Sequence, residues 1–252
     1  MIAIKVEKGE IMNVVNKMTN LEKAMWIIIA VGLLCSNAAI VIGVQGASIT
    51  PGASSRADFN QSSSASLSVQ AGNVTRLDIS GKAISTHWAG FYGNVSGNLT
   101  LEDASGNTFY NWVGLGIPAG EVFASNTSMV NWSGISCANS TRIAIIETSL
   151  GIISTDADKI SATYTNNNHP PFNVSSTLLT GCNSTNAYTN TGQSASLYYQ
   201  ILLIDNQNRP VYTTLINDTA TSFTGTTYDF ELLVGESDTA GSTALYFYIE
   251  ID

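Results

Sequence analysis

The sequence predicts an all-β fold, an Ig-like β-sandwich or an irregular β-barrel, preceded by one N-terminal transmembrane or signal helix. Three observations predict it. Short alternating or continuous apolar runs recur after residue 67 at intervals of about 10–20 residues, punctuated by Gly, Asn, Asp and Ser. Few stretches in that region carry a helical period. Met25–Val44 is the one long apolar run, 20 residues without a charge, interrupted only by Ser36 and Asn37.

At 1.5 Å rise per residue that run makes about 30 Å of helix, the thickness of a hydrocarbon core. Lys5, Lys8, Lys17 and Lys23 precede it, and the next basic residue is Arg56. The positive-inside bias therefore keeps residues 1–24 as a cytosolic leader and exports the chain beyond residue 46. Two readings of the run stay open: an uncleaved signal anchor, favoured by its length, or a signal peptide cleaved at the small-residue site Val44-Gln45-Gly46. Leu34 is too large for a lipobox before Cys35, and Lys8-Gly9 lies too far upstream for a pilin-type leader.

Residues 47–66, rich in Ser, Ala, Gly and Gln, read as an extended stalk, and residues 67–252 as one β ectodomain. A split into two small β domains near residues 165–176 is the alternative. Leu67-Ser-Val69 and Val74-Thr-Arg-Leu77-Asp-Ile79 alternate like strands. Asn98–Glu102, Asp103–Asn107 and Thr108–Trp112 predict strand, turn and strand. Arg142-Ile-Ala-Ile-Ile-Glu-Thr148 reads as a buried strand, and residues 149–159 as a short helix or loop. The clearest hairpin is Leu197–Ile204, the turn Asp205–Asn208 and Pro210–Ile216, with Pro210 at a strand start where a missing donor is tolerated. Tyr228–Val234 and Leu245–Ile251 close the chain as two more strands.

Charge is scarce. The chain has 10 Lys+Arg and 19 Asp+Glu, a net charge of −9, and only 12% charged residues, where about 25% is usual. An acidic chain without a basic tract excludes nucleic acid as a partner, because phosphate binding needs clustered Lys and Arg. Something else must keep the exported surface in water. Asn-X-Ser/Thr occurs at Asn60, Asn73, Asn94, Asn98, Asn126, Asn131, Asn139, Asn173, Asn183 and Asn217. These are ten of the 19 Asn after residue 46, and none of the four Asn before it is in a sequon. A glycosylated ectodomain is the expectation. Cys137 and Cys182 are the two exported cysteines, and an even pair outside the cell is most simply a disulfide. Asn139 and Asn183 would then gather glycans around that staple.

His87-Trp-Ala-Gly-Phe-Tyr-Gly-Asn-Val-Ser-Gly, followed by a hairpin ending Tyr110-Asn-Trp112, resembles a motif of exported archaeal cell-surface proteins that share W-x-G-F/Y-F/Y-G-N-V-S/T-G. Phe230-Glu-Leu-Leu and the terminal Tyr246-Phe-Tyr-Ile-Glu250 are similar to the C-terminal strands of that group. The resemblance covers about a fifth of the chain and implies a surface location and β architecture; it implies no catalytic residue. The residues themselves need no chemistry: Trp88, Phe91, Tyr92, Phe109, Tyr110 and Trp112 can build an aromatic core, or a platform for sugar rings.

No catalytic constellation emerges from the sequence, and the expectation is a non-enzyme. No Gly-x-Ser-x-Gly elbow occurs. Glu102-Asp103 lie at a strand end and turn, where two carboxylates need not share one cleft. His87 reads as a core or edge histidine, and His169, in Asn-Asn-Asn-His-Pro-Pro, as an exposed loop residue. No cofactor is expected; Asp156-Ala-Asp158 and Asp103 with Asn107 offer oxygen ligands for calcium, although neither has the EF-hand spacing. The expected protein sits at the cell surface, anchored or secreted, meets the membrane through Met25–Val44, and works by contact with itself or other surface proteins as envelope coat, adhesin or filament subunit. The stretch Ala47–Gln70 could add a strand to a neighbour's sheet. A carbohydrate-binding β module is the alternative, and a secreted hydrolase a third reading. Burial of Trp88 and Trp112 favours structure, a ring-lined groove favours binding, and a pocket holding His87 beside a carboxylate favours the enzyme.

Overall fold

A computed structural model describes residues 43–57, 66–79, 81–97, 99–112, 119–218, 220–237 and 243–251. The leader, nearly all of the apolar run, Asn60 and Asn98 lie outside the described residues. No described helix is long and apolar enough to cross a membrane.

The strands are β1 (Gln45–Gly46), β2 (Trp88–Gly93), β3 (Leu99–Glu102), β4 (Thr108–Trp112), β5 (Gly120–Ser125) and β6 (Ser136–Cys137). Two helices come next, α1 (Ser140–Ser149) and α2 (Ile160–Thr163). The rest is β7 (Phe172–Val174), β8 (Thr177–Leu179), β9 (Ser184–Asn186), β10 (Tyr188–Thr189), β11 (Gly192–Gln193), β12 (Tyr199–Ile204) and β13 (Pro210–Leu215), then β14 (Ala220–Thr221), β15 (Thr227–Tyr228), β16 (Phe230–Gly235) and β17 (Tyr246–Ile251). Every strand pairing is antiparallel.

The principal sheet has seven strands in the order β1-β17-β5-β13-β12, with β6 and β9 both paired to β12. β6 meets Leu203 and Ile204, and β9 meets Tyr199 to Ile201, so the two share one edge of β12 end to end. The sheet does not close among the described residues, which removes the barrel alternative. Every residue of β5 is buried, as a strand covered on both faces must be. Gly120 carries a φ of +134°, and a Cβ there would lie 2.3 Å from the Glu250 carbonyl, so only glycine fits at the start of this strand.

Two apolar layers cover the sheet. On one face Val122, Ala124, Leu202, Ile204 and Tyr212 pack with Leu232 and Val234 of β16, Ile143 and Ile146 of α1, and Ile160 and Tyr164. On the other face Phe123, Ile201, Leu203 and Val211 pack with Phe172, Val174 and Leu179 of the β7–β8 hairpin and with Cys182. The run Ile201-Leu-Leu-Ile204 thus alternates between two cores. Each such side chain contributes about 1.5–3 kcal/mol on burial. A second, two-stranded sheet, β16–β2, lies in the first layer, giving a sandwich-like arrangement. Gln200 crosses the layers: its Nε2 lies 2.6 Å from the Glu231 carbonyl and its Oε1 accepts the Leu233 N–H at 2.7 Å.

The hairpin β12–β13 forms as expected, with Pro210 opposite Ile204 at the strand start. The hairpin β3–β4 and the last two strands also form. The strand expectations for Arg142–Thr148 and for Leu67–Ile79 need correction. Arg142–Thr148 is helical, because Asn139 caps the helix through its Oδ1 to the Arg142 N–H (3.0 Å). Ile143 and Ile146 bury one stripe, while Ile145 is half exposed. Gly151, at φ +76°, ends the helix as Ile152 N–H reaches Glu147 C=O and Gly151 N–H reaches Thr148 C=O, the Schellman pattern. A four-residue apolar run fits either period, so the caps decide. Residues 150–159 are loop. Leu67–Val69 and Val74–Ile79 form no strand: no described segment pairs with them, and a strand needs a ladder partner.

Candidate functional site

The aromatic motif divides among three places. On β2, Phe91 turns inward and meets the edge of Phe247 (centroids 5.0 Å apart). Trp88 is half-buried against Tyr164, 6.0 Å away, and its Nε1–H donates to the Asp158 carbonyl at 2.6 Å. Tyr92 turns outward, 47% exposed, with Phe223 and Tyr228 edge-on to it at 5.1 and 5.0 Å. Trp112 is 43% exposed on the hairpin β3–β4 beside Tyr110, and Phe109 is more exposed still. The Tyr92 and Trp112 ring pairs meet at 63–84°, so they offer edges and separate faces rather than one flat shelf.

His87 does sit beside a carboxylate. Its Nδ1 lies 3.2 Å from Asp158 Oδ1, and the Ser85 hydroxyl donates to Asp158 Oδ2 at 2.5 Å. The Ser85 hydroxyl, opposed by burial and helped by His87, holds the Asp158 carboxyl below its ordinary range. A cavity of about 530 Å³ lies alongside, lined in part by Arg56, Ser85, Trp88 and Glu236. In a serine nucleophile relay the hydroxyl addresses the imidazole. Here Ser85 and His87 both address the carboxylate, which pins the chain just before β2 to the loop between α1 and α2. That junction joins residues 71 positions apart, and no spacing rule in the sequence marks it.

Of the candidate calcium carboxylates, Asp158 is held by Ser85 and His87, while Asp103 and Asp156 each close their own loop. Asp103 accepts the N–H groups of Ser105 and Asn107 and the Asn107 side-chain amide. The Asn107 amide and these backbone donors lower its pKa. Asp156 accepts the Ile153 N–H at 2.8 Å. Glu102 accepts the Thr108 hydroxyl. Among the described residues no three His, Cys, Asp or Glu side chains converge to hold a metal.

Cys137 and Cys182 form a disulfide, with Cα atoms 5.0 Å apart. It ties the segment of β6 to the segment that leads into β9, the two strands sharing the edge of β12. His169 is buried beneath it, with its ring edge-on to Phe172; the exposed-loop expectation fails because the imidazole is the acceptor for a buried amide of this staple. Of the eight described sequon residues, Asn73, Asn94, Asn126, Asn139 and Asn173 are exposed, and Asn131, Asn183 and Asn217 are half-buried. Asn139 caps α1 through Oδ1, so a glycan on its Nδ2 leaves the cap intact. Asn183 Nδ2 donates to the Ala138 carbonyl at 2.9 Å, which brings the two Cys-proximal sequons together.

Sequence patterning also misses β5 and its buried carboxylate. Glu121 lies opposite Glu250 of β17, and both are buried. The Glu250 carboxylate accepts the Ser175 N–H from the β7–β8 turn through both oxygens, at 2.8 and 2.9 Å. A glutamate inside a short apolar run was the available signal. No family model, curated protein or solved structure matches the chain.

Proposed function

We propose that this chain is a glycosylated cell-surface structural or interaction protein, anchored by Met25–Val44 or released after cleavage, whose exported β domain works by contact. The observation that carries the reading is the position of the sequons. Five of eight described sequon residues are exposed, in a domain whose surface is poor in charge. Glycans there supply the hydration that Lys, Glu, Asp and Arg supply on ordinary surfaces. Envelope coat, adhesin and filament subunit all fit, and the reading assigns no catalysis. The test is the mass of the full chain isolated from a host that performs N-glycosylation. It should run well above its 26.7 kDa chain mass and fall to the mass of the bare polypeptide on deglycosylation. A mature product at the bare mass overturns the reading.

Binding of carbohydrate is the second reading, favoured by the exposed rings of Tyr110 and Trp112. Trp112→Ala would then abolish retention on polysaccharide without changing the unfolding midpoint; equal retention of both proteins counts against it.

A further inference from the structure

Among the described residues β2 pairs with β16 alone, which leaves it a sheet edge. The Glu236 N–H donates to the His87 carbonyl at 2.9 Å, one step beyond the Gly235–Trp88 pair. Hydrogen-bonded and non-bonded pairs alternate along an antiparallel ladder. Ala89, Phe91 and Gly93 therefore turn their backbone groups to β16, while Trp88, Gly90 and Tyr92 turn theirs away from it. The same phase turns Glu231 and Leu233 away from β2 on the far side of β16, and there the protein supplies partners. Gln200 holds the Glu231 carbonyl and the Leu233 N–H, and the Tyr164 hydroxyl reaches the Leu233 carbonyl. On the β2 side nothing comparable is present: among the described residues no hydrogen bond reaches the backbone of Trp88, Gly90 or Tyr92. A Cβ on Gly90 would meet nothing within 4 Å.

The same chain carries a strand-patterned segment that no described residue covers. Leu67, Val69, Val74, Leu77 and Ile79 are between 56% and 101% exposed. Residues 70–73 make a turn, with the Asn73 N–H on the Gln70 carbonyl and Gly72 at φ +91°. Residues 45–47, by contrast, already serve an edge, since β1 pairs with β17 and the Ala47 N–H reaches the Phe247 carbonyl. The donor therefore lies C-terminal to the Ala47–Gln70 stretch that patterning alone suggested.

We propose that residues 74–79 of one copy, the arm that follows this turn, add as a strand to the β2 edge of a second copy. The inference rests on the proposed contact function and names its joint. Within one chain this arm is not folded back onto β2: among the described residues it pairs with no strand, and Val74 and Ile79 are 101% and 89% exposed. Each molecule then carries one donor and one different acceptor. Such a contact closes as a reciprocal pair or a ring where the geometry permits, and otherwise propagates as a chain of subunits.

The test uses two tagged populations of the full chain, one Gly90→Cys and the other with a single Cys at one of the consecutive positions 74–79. Mixing under mild oxidation should give a covalent species holding both tags, for a subset of donor positions with the alternation of a strand. Gly90→Pro should abolish that assembly while leaving the monomer folded, because the Gly90 N–H makes no bond within its own sheet. Two results overturn the proposal: no mixed species at any donor position, or crosslinking only within one molecule when both cysteines are placed in the same chain. Glycan mass and surface exposure of the same preparations are read separately, so a surface glycoprotein without crosslinks refutes the joint alone.

Discussion

The Nε2 atom of His169 accepts the backbone N–H of Cys182 at 2.9 Å, and its Nδ1 lies 2.8 Å from the Pro170 carbonyl. The two bonds together require the neutral imidazole with its proton on Nδ1. His169 thus completes the hydrogen bonding of the chain at the disulfide, from a loop that would otherwise leave a buried donor orphaned. His169→Ala should cost about 1–3 kcal/mol, the usual penalty for an unsatisfied buried donor. Urea unfolding measures it; a loss below about 0.5 kcal/mol would fit an ordinary surface substitution instead.

The Cys137–Cys182 bond spans 45 positions. Chain entropy assigns a closed loop of that length about 4 kcal/mol. Replacing both cysteines by Ser should lower stability by roughly 3–4 kcal/mol and loosen first the edge where β6 and β9 flank β12. Amide exchange at Ser184–Asn186 reports the edge, and denaturant midpoints report the total. Uniform acceleration across all strands would count against a local staple.

Acid stability should depend on Asp205, which is fully buried in the β12–β13 turn. Burial pushes its pKa up, but the Arg209 guanidinium and the N–H groups of Arg209, Asn131 and Gln207 outweigh that and bring it below 3.8. A carboxyl depressed in the fold stabilises it above the unfolded pKa, near 3.9, and loses that contribution as pH falls through the folded value. Unfolding midpoints should therefore drop below about pH 4 in the parent and less steeply in Asp205→Asn, whose stability at pH 7 should be about 2 kcal/mol lower. Parallel pH profiles would remove Asp205 as a cause.

The alkaline limit should be set by tyrosines. The Tyr198 hydroxyl lies 2.6 Å from the Ala220 carbonyl and 2.8 Å from the Tyr228 carbonyl. Burial, aided by the Glu231 charge and opposed by the Tyr228 bond, raises its pKa to about 12. Burial pushes Tyr164 and Tyr212 upward as well. A phenol raised in the fold stabilises it fully below the unfolded value near 10 and ceases to as pH rises through the folded one. Stability should fall between about pH 10 and pH 12, and Tyr198→Phe should flatten part of that fall. Tyrosinate absorbance followed against pH checks it: titration of all ten tyrosines near pH 10 without unfolding would contradict the argument.

Strands separated by polar turns, the hairpin at Asp205–Asn208, the cysteine pair and the crowd of sequons were legible in the residues alone. These depend on local alternation, turn chemistry and composition, which act over a few residues. Asn139 and Gly151 turned Arg142–Thr148 into helix where the apolar run fitted either period. The other features came from contacts between distant segments. Asp158 drew Ser85, His87 and Trp88 into one junction across 71 positions, and Cys182 drew His169 inside. Among the described residues, the pairing of β2 with β16 left one edge of β2 unfilled, and Leu67–Ile79 found no strand partner. Strand pairing is a choice among distant segments. Local pattern states that a segment suits a sheet, but only the packed molecule decides which edge it meets.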